Sequence, residues 1–293
     1  MRRVAIIGLG LMGGSIGLAA KARGLPWEIV GYTRTPERAR LALRRGAVDR
    51  LASGPAEAVQ EADLSVFCAP VETIIRLVRE ARPGFRAGSV VTDVASTREQ
   101  VDREVPKILR GTGARFVGSH PVAGSEQQGI EAARPDLYEG AVVLLTATRQ
   151  SAGAALSRVR SFWRALGASC LRIDSASHDR VLARTSHLPH MVASLLAATV
   201  GRAGGRRDLG AFCGRGFADT TRVAEGSPEV WLDIVRTNRS NLAVELRAFG
   251  EELNHLIGAL ESGDDGAVLQ VLERGREARR RLLARRALSK ERV

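Results

Sequence analysis

A rare histidine stands in a segment rich in glycine and proline near the middle of the chain. Residues 118 to 126 read Gly-Ser-His-Pro-Val-Ala-Gly-Ser-Glu, and His120 is one of five histidines in 293 residues. A strand predicted over 114 to 118 ends just before it, Pro121 restricts its backbone, and the glycines allow a ligand to approach closely. A histidine in this setting can exchange a proton near neutral pH. The alternative is a turn that merely contains a hydrogen-bonded histidine.

A glycine-rich loop near the amino terminus could hold the pyrophosphate of a dinucleotide. Residues 2 to 7 predict a buried strand, residues 15 to 23 predict a helix, and a second strand is predicted over 27 to 32. Between the first strand and the helix, three glycines would allow a tight turn, a close approach to phosphate and close packing of the helix. The residues predicted to bind the cofactor here are Gly8, Gly10, Leu11, Met12 and Gly13.

The end of the second predicted strand bears on the choice of cofactor. An acidic residue that binds the adenosine ribose is usual at this position. This chain has Thr33, Arg34 and Thr35 instead. No carboxylate would repel a 2′-phosphate there, and Arg34 with two hydroxyls could bind it, so NADP is favoured over NAD. The alternative is that Arg34 points to solvent and NAD is used.

Composition and charge favour a soluble cytoplasmic enzyme. The net charge is +12, yet only three residues are lysines, so the excess is arginine. The densest run, residues 274 to 286, predicts a solvated helix face rather than a nucleic-acid site. Three widely spaced cysteines match neither a disulfide framework nor a metal site. Glycines interrupt the apolar run over 4 to 20, which argues against a signal peptide, and no membrane span is predicted.

The predicted elements indicate an α/β fold, a Rossmann-type doubly wound sheet followed by an all-helical dimerisation domain. Strands and helices alternate through about 170 residues, which predicts a mostly parallel sheet with helices on both faces. Strands are predicted near 3–7, 27–32, 64–68, 89–93, 114–118, 141–146 and 169–173. The residues at their carboxyl ends, where such sheets bind ligands, include Gly8, Thr33, Ala69, Pro70, Asp93, Ser96 and His120.

From residue 175 onward only helices are predicted, which gives a dinucleotide-binding domain over 1–173 and a helical substrate and dimerisation domain over 174–293. Ser227 and Pro228 predict a helix start. An apolar stripe then continues for more than 30 residues. A helix of that length predicts packing against a second copy of the chain, that is, a homodimer.

Five segments together resemble the prephenate and arogenate dehydrogenases of tyrosine biosynthesis. They are the glycine-rich loop, Asp93 to Ser96, Gly118 to Glu126, Ser186 to His190, and Gly216 to Arg222. The resemblance covers nearly the whole chain in order. It implies that a cyclohexadienol loses hydride from C4 to nicotinamide while its ring carboxylate leaves as carbon dioxide. Whether the substrate is prephenate or arogenate stays open.

The resemblance also implies roles for individual residues. His120 would accept the hydrogen of the substrate hydroxyl, and Ser96 would orient His120 and the nicotinamide. Arg222 would bind a substrate carboxylate through its forked guanidinium. The other residues expected near the substrate or the cofactor are Ser125, Glu126, Ser186, His190 and Trp231 for the substrate, and Ala69, Pro70 and Asp93 for the cofactor.

Several alternatives accompany this interpretation. His187 and His190 are spaced to share a helix face, but without an acidic or cysteine partner at a matching spacing no metal site is expected. His178 and His255 are interpreted as ordinary histidines on helix surfaces. A β-hydroxyacid dehydrogenase would share the glycine loop but needs a lysine in a suitable segment. A non-catalytic nucleotide sensor or a nucleic-acid-binding protein is the last alternative.

Overall fold

The computed structural model describes residues 1–123, 127–147, 153–203 and 209–291. The chain forms two compact units, Met1–Arg239 and Ser240–Val293. The candidate site residues that the structure describes lie in the first unit. No helix in the described ranges is both long and apolar enough to cross a membrane.

A six-stranded parallel sheet forms the centre of the first unit. Its strands are β1 (Arg3–Ile7), β2 (Glu28–Tyr32), β3 (Arg50–Leu51), β4 (Leu64–Phe67), β5 (Val90–Asp93) and β6 (Arg115–Phe116). Their order is β3-β2-β1-β4-β5-β6, which is that of a dinucleotide-binding fold. The prediction of a mostly parallel sheet is therefore confirmed. β3 was not predicted, because two residues carry no recognisable pattern.

Helices cover both faces of this sheet. They are α1 (Leu11–Ala22), α2 (Pro36–Arg44), α3 (Pro55–Val59), α4 (Val71–Ala81) and α5 (Glu99–Ile108). Alternate residues of β1 enter opposite cores, since Ile6 packs in the cluster that contains Ile16 of α1, whereas Ile7 packs in the cluster that contains Ile74 of α4. This two-residue alternation is what places one sheet between two helical layers.

A second, three-stranded sheet carries His120 and corrects the predicted position of that residue. Its strands are β7 (Gly118–Val122), β8 (Val142–Thr146) and β9 (Ser169–Arg172), with β7 antiparallel to β8, and α6 (Ala154–Ala165) lies between β8 and β9 in sequence. His120 pairs with Leu144 in the middle of β7 rather than following a strand end. The chain changes sheets at Val117, and the edge position of β7 accommodates Pro121.

From Ser175 to Thr237 the described residues form the helices α7 (Ser175–Leu182), α8 (Leu188–Ala203), α9 (Arg215–Thr221) and α10 (Pro228–Thr237). A π-helical segment, Ala183–His187, joins α7 to α8. The predicted start of α10 is confirmed, because the Ser227 hydroxyl accepts a hydrogen bond from the amide of Val230. The prediction of one uninterrupted helix beyond it is wrong. Asn238 leaves helical geometry at φ −128° and ψ 28°, and its buried amide binds other segments.

The second unit is built from two long helices, α11 (Arg239–Ser262) and α12 (Asp265–Glu291). Gly263, with φ +68°, makes the turn between them, a conformation that glycine adopts without strain. Both helices expose large apolar side chains, namely Val244, Phe249, Leu253, Ile257 and Leu260 on α11, and Leu269, Leu272, Leu282 and Leu283 on α12. Apolar stripes of this extent are typical of surfaces that bind another protein.

Candidate active site

The glycine-rich loop has the backbone geometry that a dinucleotide requires. Gly8 has φ +105°, and a Cβ atom at this position would overlap the carbonyl oxygen of Cys68. A Cβ atom at Gly13 would overlap the carbonyl oxygen of Gly8. Glycine is therefore required at both positions, first for the turn and then for the close packing of α1.

Gly10 differs from these two glycines because no atom lies within 4 Å of where its Cβ would be. It is the N-cap of α1, and glycine has no side chain with which to cap the first turn of that helix. The amides of a helix N-terminus beside open space suit a pyrophosphate. The half-buried Leu11 and Met12 belong to this first turn. The residues present thus fit a dinucleotide cofactor.

Residues at the neighbouring strand ends complete the predicted cofactor site. After β2, Thr33 and Thr35 are half-buried and Arg34 is exposed. Thr35 is the N-cap position of α2, but its side chain makes no capping hydrogen bond there. After β4, Ala69 and Pro70 lead into α4, and Pro70 is the N-cap residue of that helix.

The amino-terminal end of α4 is capped from a distant part of the chain. The carboxylate of Asp233 on α10 accepts hydrogen bonds from the amides of Val71, at 2.7 Å, and Glu72, at 3.5 Å. Burial raises the pKa of Asp233, and these amides oppose that effect. The contact connects the Ala69–Pro70 turn of the cofactor site to the helix that carries Trp231. Sequence reasoning missed it, because a cap from 162 residues away leaves no local signal.

His120 is held by a second histidine and a carboxylate. Its Nδ1 lies 2.9 Å from Nε2 of His178, and Nδ1 of His178 lies 2.8 Å from Oδ1 of Asp179. His120 is 9% exposed, His178 is fully buried and Asp179 is 1% exposed. The expectation that His178 lies on a helix surface is therefore wrong. A buried polar partner was not foreseen, because α7 is short and its periodicity is weak. His255 is exposed on α11.

Burial favours the neutral form of three histidines in this region, His120, His187 and His190. Burial lowers the pKa of His120 well below its ordinary value, and the nearby His178, Arg98 and His187 lower it further. Burial also lowers the pKa of His187 to about 4, although Asp179 acts in the opposite direction. The pKa of His190 is lowered by burial as well. An unprotonated imidazole can accept a hydrogen bond, as the predicted role of His120 requires.

Asp93, predicted to bind cofactor, belongs instead to the scaffold behind His120. It is fully buried, lies 2.6 Å from a guanidinium nitrogen of Arg98, and accepts a hydrogen bond from the amide of Ser119 at 3.1 Å. Burial raises its pKa and Arg98 opposes this effect. Because its oxygens bind protein groups, Asp93 is reassigned from cofactor contact. Its bond to Ser119 places His120 beside the carboxyl end of β5.

Arg98 is the centre of a buried ionic cluster that sequence analysis did not single out among so many arginines. Its guanidinium lies 2.6 Å from both Asp93 and Asp102 and donates to the carbonyl oxygen of Ser119 at 3.2 Å. Burial would lower the pKa of Arg98, but Asp102 and Asp93 raise it above its ordinary value. Removing one partner of such a cluster would cost about 3–5 kcal/mol, because the other charges would remain buried.

Ser96 follows β5 and is half-buried. The described contacts do not join it to His120, whose Nδ1 is bonded to His178. The structure therefore gives the orienting contact at Nδ1 to His178. The predicted role of Ser96 toward the nicotinamide stays a prediction.

A stacked pair of rings forms the second part of the site. The rings of His190 and Trp231 are 3.5 Å apart and nearly parallel, and the ring of His187 meets Trp231 edge-on at 6.0 Å. Nδ1 of His190 is buried and has no hydrogen-bond partner among the described residues. A buried nitrogen of this kind is a natural contact for a polar ligand group. A Cβ atom at Gly226 would touch both rings of the stack.

Ser186 and Arg222 lie close in sequence to this stack. Ser186 is half-buried in the π-helical segment before α8. Arg222 is exposed and begins a 3₁₀ turn, Arg222–Glu225, which leads directly to Gly226. Ser125 and Glu126 lie outside the described residues. Among the side chains that the structure describes, no group of three His, Cys, Asp or Glu residues is arranged to hold a metal ion.

Asn238 joins the two parts of the site. Its buried side-chain nitrogen donates to the carbonyl oxygen of Asp179 at 2.7 Å and lies 3.2 Å from Nδ1 of His187. A continuous series of contacts therefore connects His120 to His190 and Trp231. Folding brings these residues together although about 110 positions separate the first from the last.

Comparison with known proteins matches both parts of the chain to one family. The model "Prephenate dehydrogenase, nucleotide-binding domain" matches residues 16–172, and the model "Prephenate dehydrogenase, dimerization domain" matches residues 174–274. The prephenate dehydrogenase of Lactococcus lactis is 30% identical over 284 residues, which cover 95% of this chain and 77% of that protein. The cyclohexadienyl dehydrogenase of Zymomonas mobilis is 31% identical, with 95% of each chain covered.

A solved structure gives the same result. The crystal structure of prephenate dehydrogenase from A. aeolicus in complex with hydroxyphenyl propionate and NAD+ superimposes with a TM-score of 0.89 at 29% identity, and the match covers 96% of this chain and 98% of that chain. With a glycine-rich dinucleotide loop, a buried neutral histidine and family models matched over both parts of the sequence, the chain belongs to the prephenate dehydrogenase family.

Proposed function

We propose that this chain catalyses the oxidative decarboxylation of prephenate to 4-hydroxyphenylpyruvate, with hydride transfer to a nicotinamide dinucleotide. Residues 1–173 would bind the dinucleotide, and residues 174–293 would bind substrate and form the dimer. The second candidate is the conversion of arogenate to tyrosine, alone or together with the prephenate reaction. The similarity to a cyclohexadienyl dehydrogenase supports keeping it.

The observation that carries the proposal is the position and state of His120. Ser119 is bonded to Asp93, the last residue of β5, so His120 lies at the carboxyl edge of the parallel sheet. The glycine-rich loop after β1 belongs to the same edge, because β1, β4 and β5 are parallel neighbours. A neutral imidazole near the cofactor end of the sheet suits a hydroxyl that becomes more acidic as hydride leaves.

The reaction needs a group that accepts the hydroxyl hydrogen temporarily, but it consumes no base overall. Nε2 of His120 accepts the hydrogen of the C4 hydroxyl while the C4 hydrogen leaves as hydride. The bond between C1 and its carboxylate then breaks, carbon dioxide leaves, and its electron pair completes the aromatic ring. The hydrogen returns to the phenolic oxygen, so no proton is released overall. When bound, the nicotinamide supplies the hydride acceptor.

Other residues would hold the substrate against this histidine. Arg222 would bind a carboxylate with two parallel hydrogen bonds. The unpartnered Nδ1 of His190 would contact a second polar group of the substrate. The remaining residues proposed for the pocket are Ser125, Glu126, Ser186 and Trp231 for substrate, with Ser96 toward the nicotinamide.

For the cofactor we propose NADP in preference to NAD. Residues 33 to 35 include no carboxylate that would repel a 2′-phosphate, and the guanidinium of Arg34 is exposed. Gly8, Gly10, Leu11, Met12 and Gly13 would bind the pyrophosphate, and Ala69 and Pro70 would line the neighbouring strand end.

We also propose that the chain acts as a cytoplasmic homodimer. The exposed apolar residues of α11 and α12 supply a surface for a second copy. We propose neither a membrane nor a nucleic acid as a partner of the protein. The arginine-rich segment from 274 onward is assigned to solvent, in keeping with its exposure up to residue 284.

Steady-state rates with four substrate and cofactor pairs test the proposal. Prephenate and arogenate are each paired with NADP and NAD, reduced cofactor is followed at 340 nm, and the product is identified by chromatography. Turnover of prephenate to 4-hydroxyphenylpyruvate is the expected result. Turnover of arogenate alone would replace the first candidate by the second. If none of the four pairs reacts, the dehydrogenase proposal is wrong for this chain.

A further inference from the structure

We propose that His178 and Asp179 are positioning residues that hold His120 in one tautomer, with its proton on Nδ1 and a free lone pair on Nε2. The inference rests on the proposed function in one respect, namely that this lone pair accepts the hydrogen of the substrate hydroxyl. The arrangement itself is defined by contacts within the first unit and can be tested without substrate.

The carboxylate of Asp179 acts here only as an acceptor. Backbone amides donate to both of its oxygens, Arg98 N to Oδ1 at 2.8 Å and Glu99 N to Oδ2 at 3.0 Å. These two amides lie at the start of α5, where the helix dipole stabilises negative charge. The third neighbour of the carboxylate, Nδ1 of His178 at 2.8 Å, must therefore carry a hydrogen.

This donor fixes the direction of the next hydrogen bond. When neutral His178 carries its hydrogen on Nδ1, its Nε2 has only a lone pair and can only accept. The neighbouring atom, Nδ1 of His120 at 2.9 Å, must then be the donor. A neutral imidazole has one hydrogen, so Nε2 of His120 is left as an acceptor. The acceptor role of Asp179 thus fixes the donor and acceptor atoms of His178, and these in turn fix those of His120.

A protonated His178 would reverse this outcome. It would donate from Nε2 to His120, whose own hydrogen would move to its Nε2, and that atom could then no longer accept. The charged and titratable groups around His120 are Arg98 and Asp93 beside β7, His178 and Asp179 on α7, and His187 after α7. The proposed direction of the two hydrogen bonds therefore requires a neutral His178, which the nitrogen-15 spectra described below test directly.

The two residues are held rigidly enough to serve this purpose. α7 starts at a fixed point, because the Asp174 carboxylate caps it by accepting from the amide of Ser177 at 2.9 Å. The hydroxyl of Ser175 donates to Asp102 on α5, and Asn238 donates to the carbonyl oxygen of Asp179. Its own N-cap and two other segments therefore fix the helix that carries the two side chains. A residue that fixes the tautomer of a neighbouring histidine must itself be held in place in this way.

Two substitutions of His178 separate positioning from packing. In His178→Gln the amide oxygen can occupy the place of Nε2 and still accept from His120, although the ring is lost. In His178→Phe the ring is kept but the acceptor is lost. Positioning predicts that His178→Phe lowers kcat on the order of 100-fold or more with little change in KM, whereas His178→Gln stays within about tenfold of wild type. A purely structural role predicts the opposite order. His255→Phe, at an exposed site, is the matched control.

Nitrogen-15 spectra of the histidine side chains test the same inference without turnover. The wild-type protein is expected to show His120 with its hydrogen on Nδ1 and an unprotonated Nε2, and His178→Gln to preserve that pattern. His120 with its hydrogen on Nε2 in the wild-type protein would overturn the inference. Because this readout needs no substrate, it decides the matter even if His178→Phe fails to fold or if no cyclohexadienyl substrate is turned over.

Discussion

Buried His187 makes the stability of the fold depend on pH in a predictable direction. Burial lowers its pKa to about 4 in the folded protein, while its ordinary value is 6.5. The unfolded chain therefore binds a proton more readily than the folded one. The stabilising effect of a neutral His187 is complete above pH 6.5, and it is lost progressively as the pH falls from 6.5 towards 4.

The size of the effect follows from these two values. Proton linkage gives a loss of roughly 2 kcal/mol at pH 5 relative to pH 7.5, rising to about 3 kcal/mol at pH 4 and below. The perturbation that isolates it is His187→Asn, whose amide oxygen can still accept from the side chain of Asn238, the neighbour of Nδ1 in the wild-type protein. The variant loses the ring contact with Trp231 at every pH, so only the difference between two pH values is informative.

Urea unfolding followed by tryptophan fluorescence, at one protein concentration and at pH 7.5 and 5.0, provides the measurement. The free energy of unfolding of wild type should fall about 2 kcal/mol more between these pH values than that of His187→Asn. All other titrating groups are common to both proteins and cancel. Equal losses in the two proteins would refute the reasoning, since His187 would then titrate alike when folded and unfolded.

Three further predictions concern cofactor, substrate and assembly. Arg34→Ala should raise the KM for NADP about tenfold and leave that for NAD nearly unchanged, because it removes a contact to the 2′-phosphate only; equal effects on both cofactors would remove Arg34 from that role. Arg222→Lys should raise the substrate KM by roughly 10- to 100-fold with a smaller change in kcat, since lysine cannot make the paired hydrogen bonds, and an unchanged KM would argue against carboxylate binding. Charged residues in the double variant Leu253→Asp and Leu260→Asp should yield monomers in light scattering, whereas Glu251→Ala should remain dimeric; a dimeric double variant would place the interface elsewhere.

Much of the first sheet could be predicted from local sequence. β1 and the glycine-rich loop are recognisable because an alternating apolar strand, glycines at fixed spacing and a helix occur within about 20 residues. Gly8 and Gly13 are where they were predicted to be needed, since any side chain there would overlap backbone atoms. The start of α10 was predictable for a similar reason, because the Ser227–Pro228 pair is a local capping signal.

What the sequence did not reveal depends on contacts between distant residues. His178 was interpreted as exposed, yet it is buried against a residue 58 positions away. Asp93 was assigned to the cofactor, yet it pairs with Arg98, whose importance nothing in a chain of 44 basic residues indicates. The break at Asn238 was missed for the same reason, since its tethers to Asp179 and His187 are tertiary. In each case the burial of a polar group decides the outcome, and its partner comes from another element.

The central claim is that Nε2 of His120 accepts the hydrogen of the substrate hydroxyl as the C4 hydrogen leaves as hydride. Single-turnover formation of reduced cofactor, followed at 340 nm with saturating prephenate and cofactor, tests it most directly in wild type, His120→Asn and the exposed control His255→Asn. We predict that His120→Asn slows the hydride step on the order of 1,000-fold, while the dissociation constant of the dinucleotide stays within a few-fold of wild type. A hydride step in His120→Asn as fast as in wild type would contradict the account.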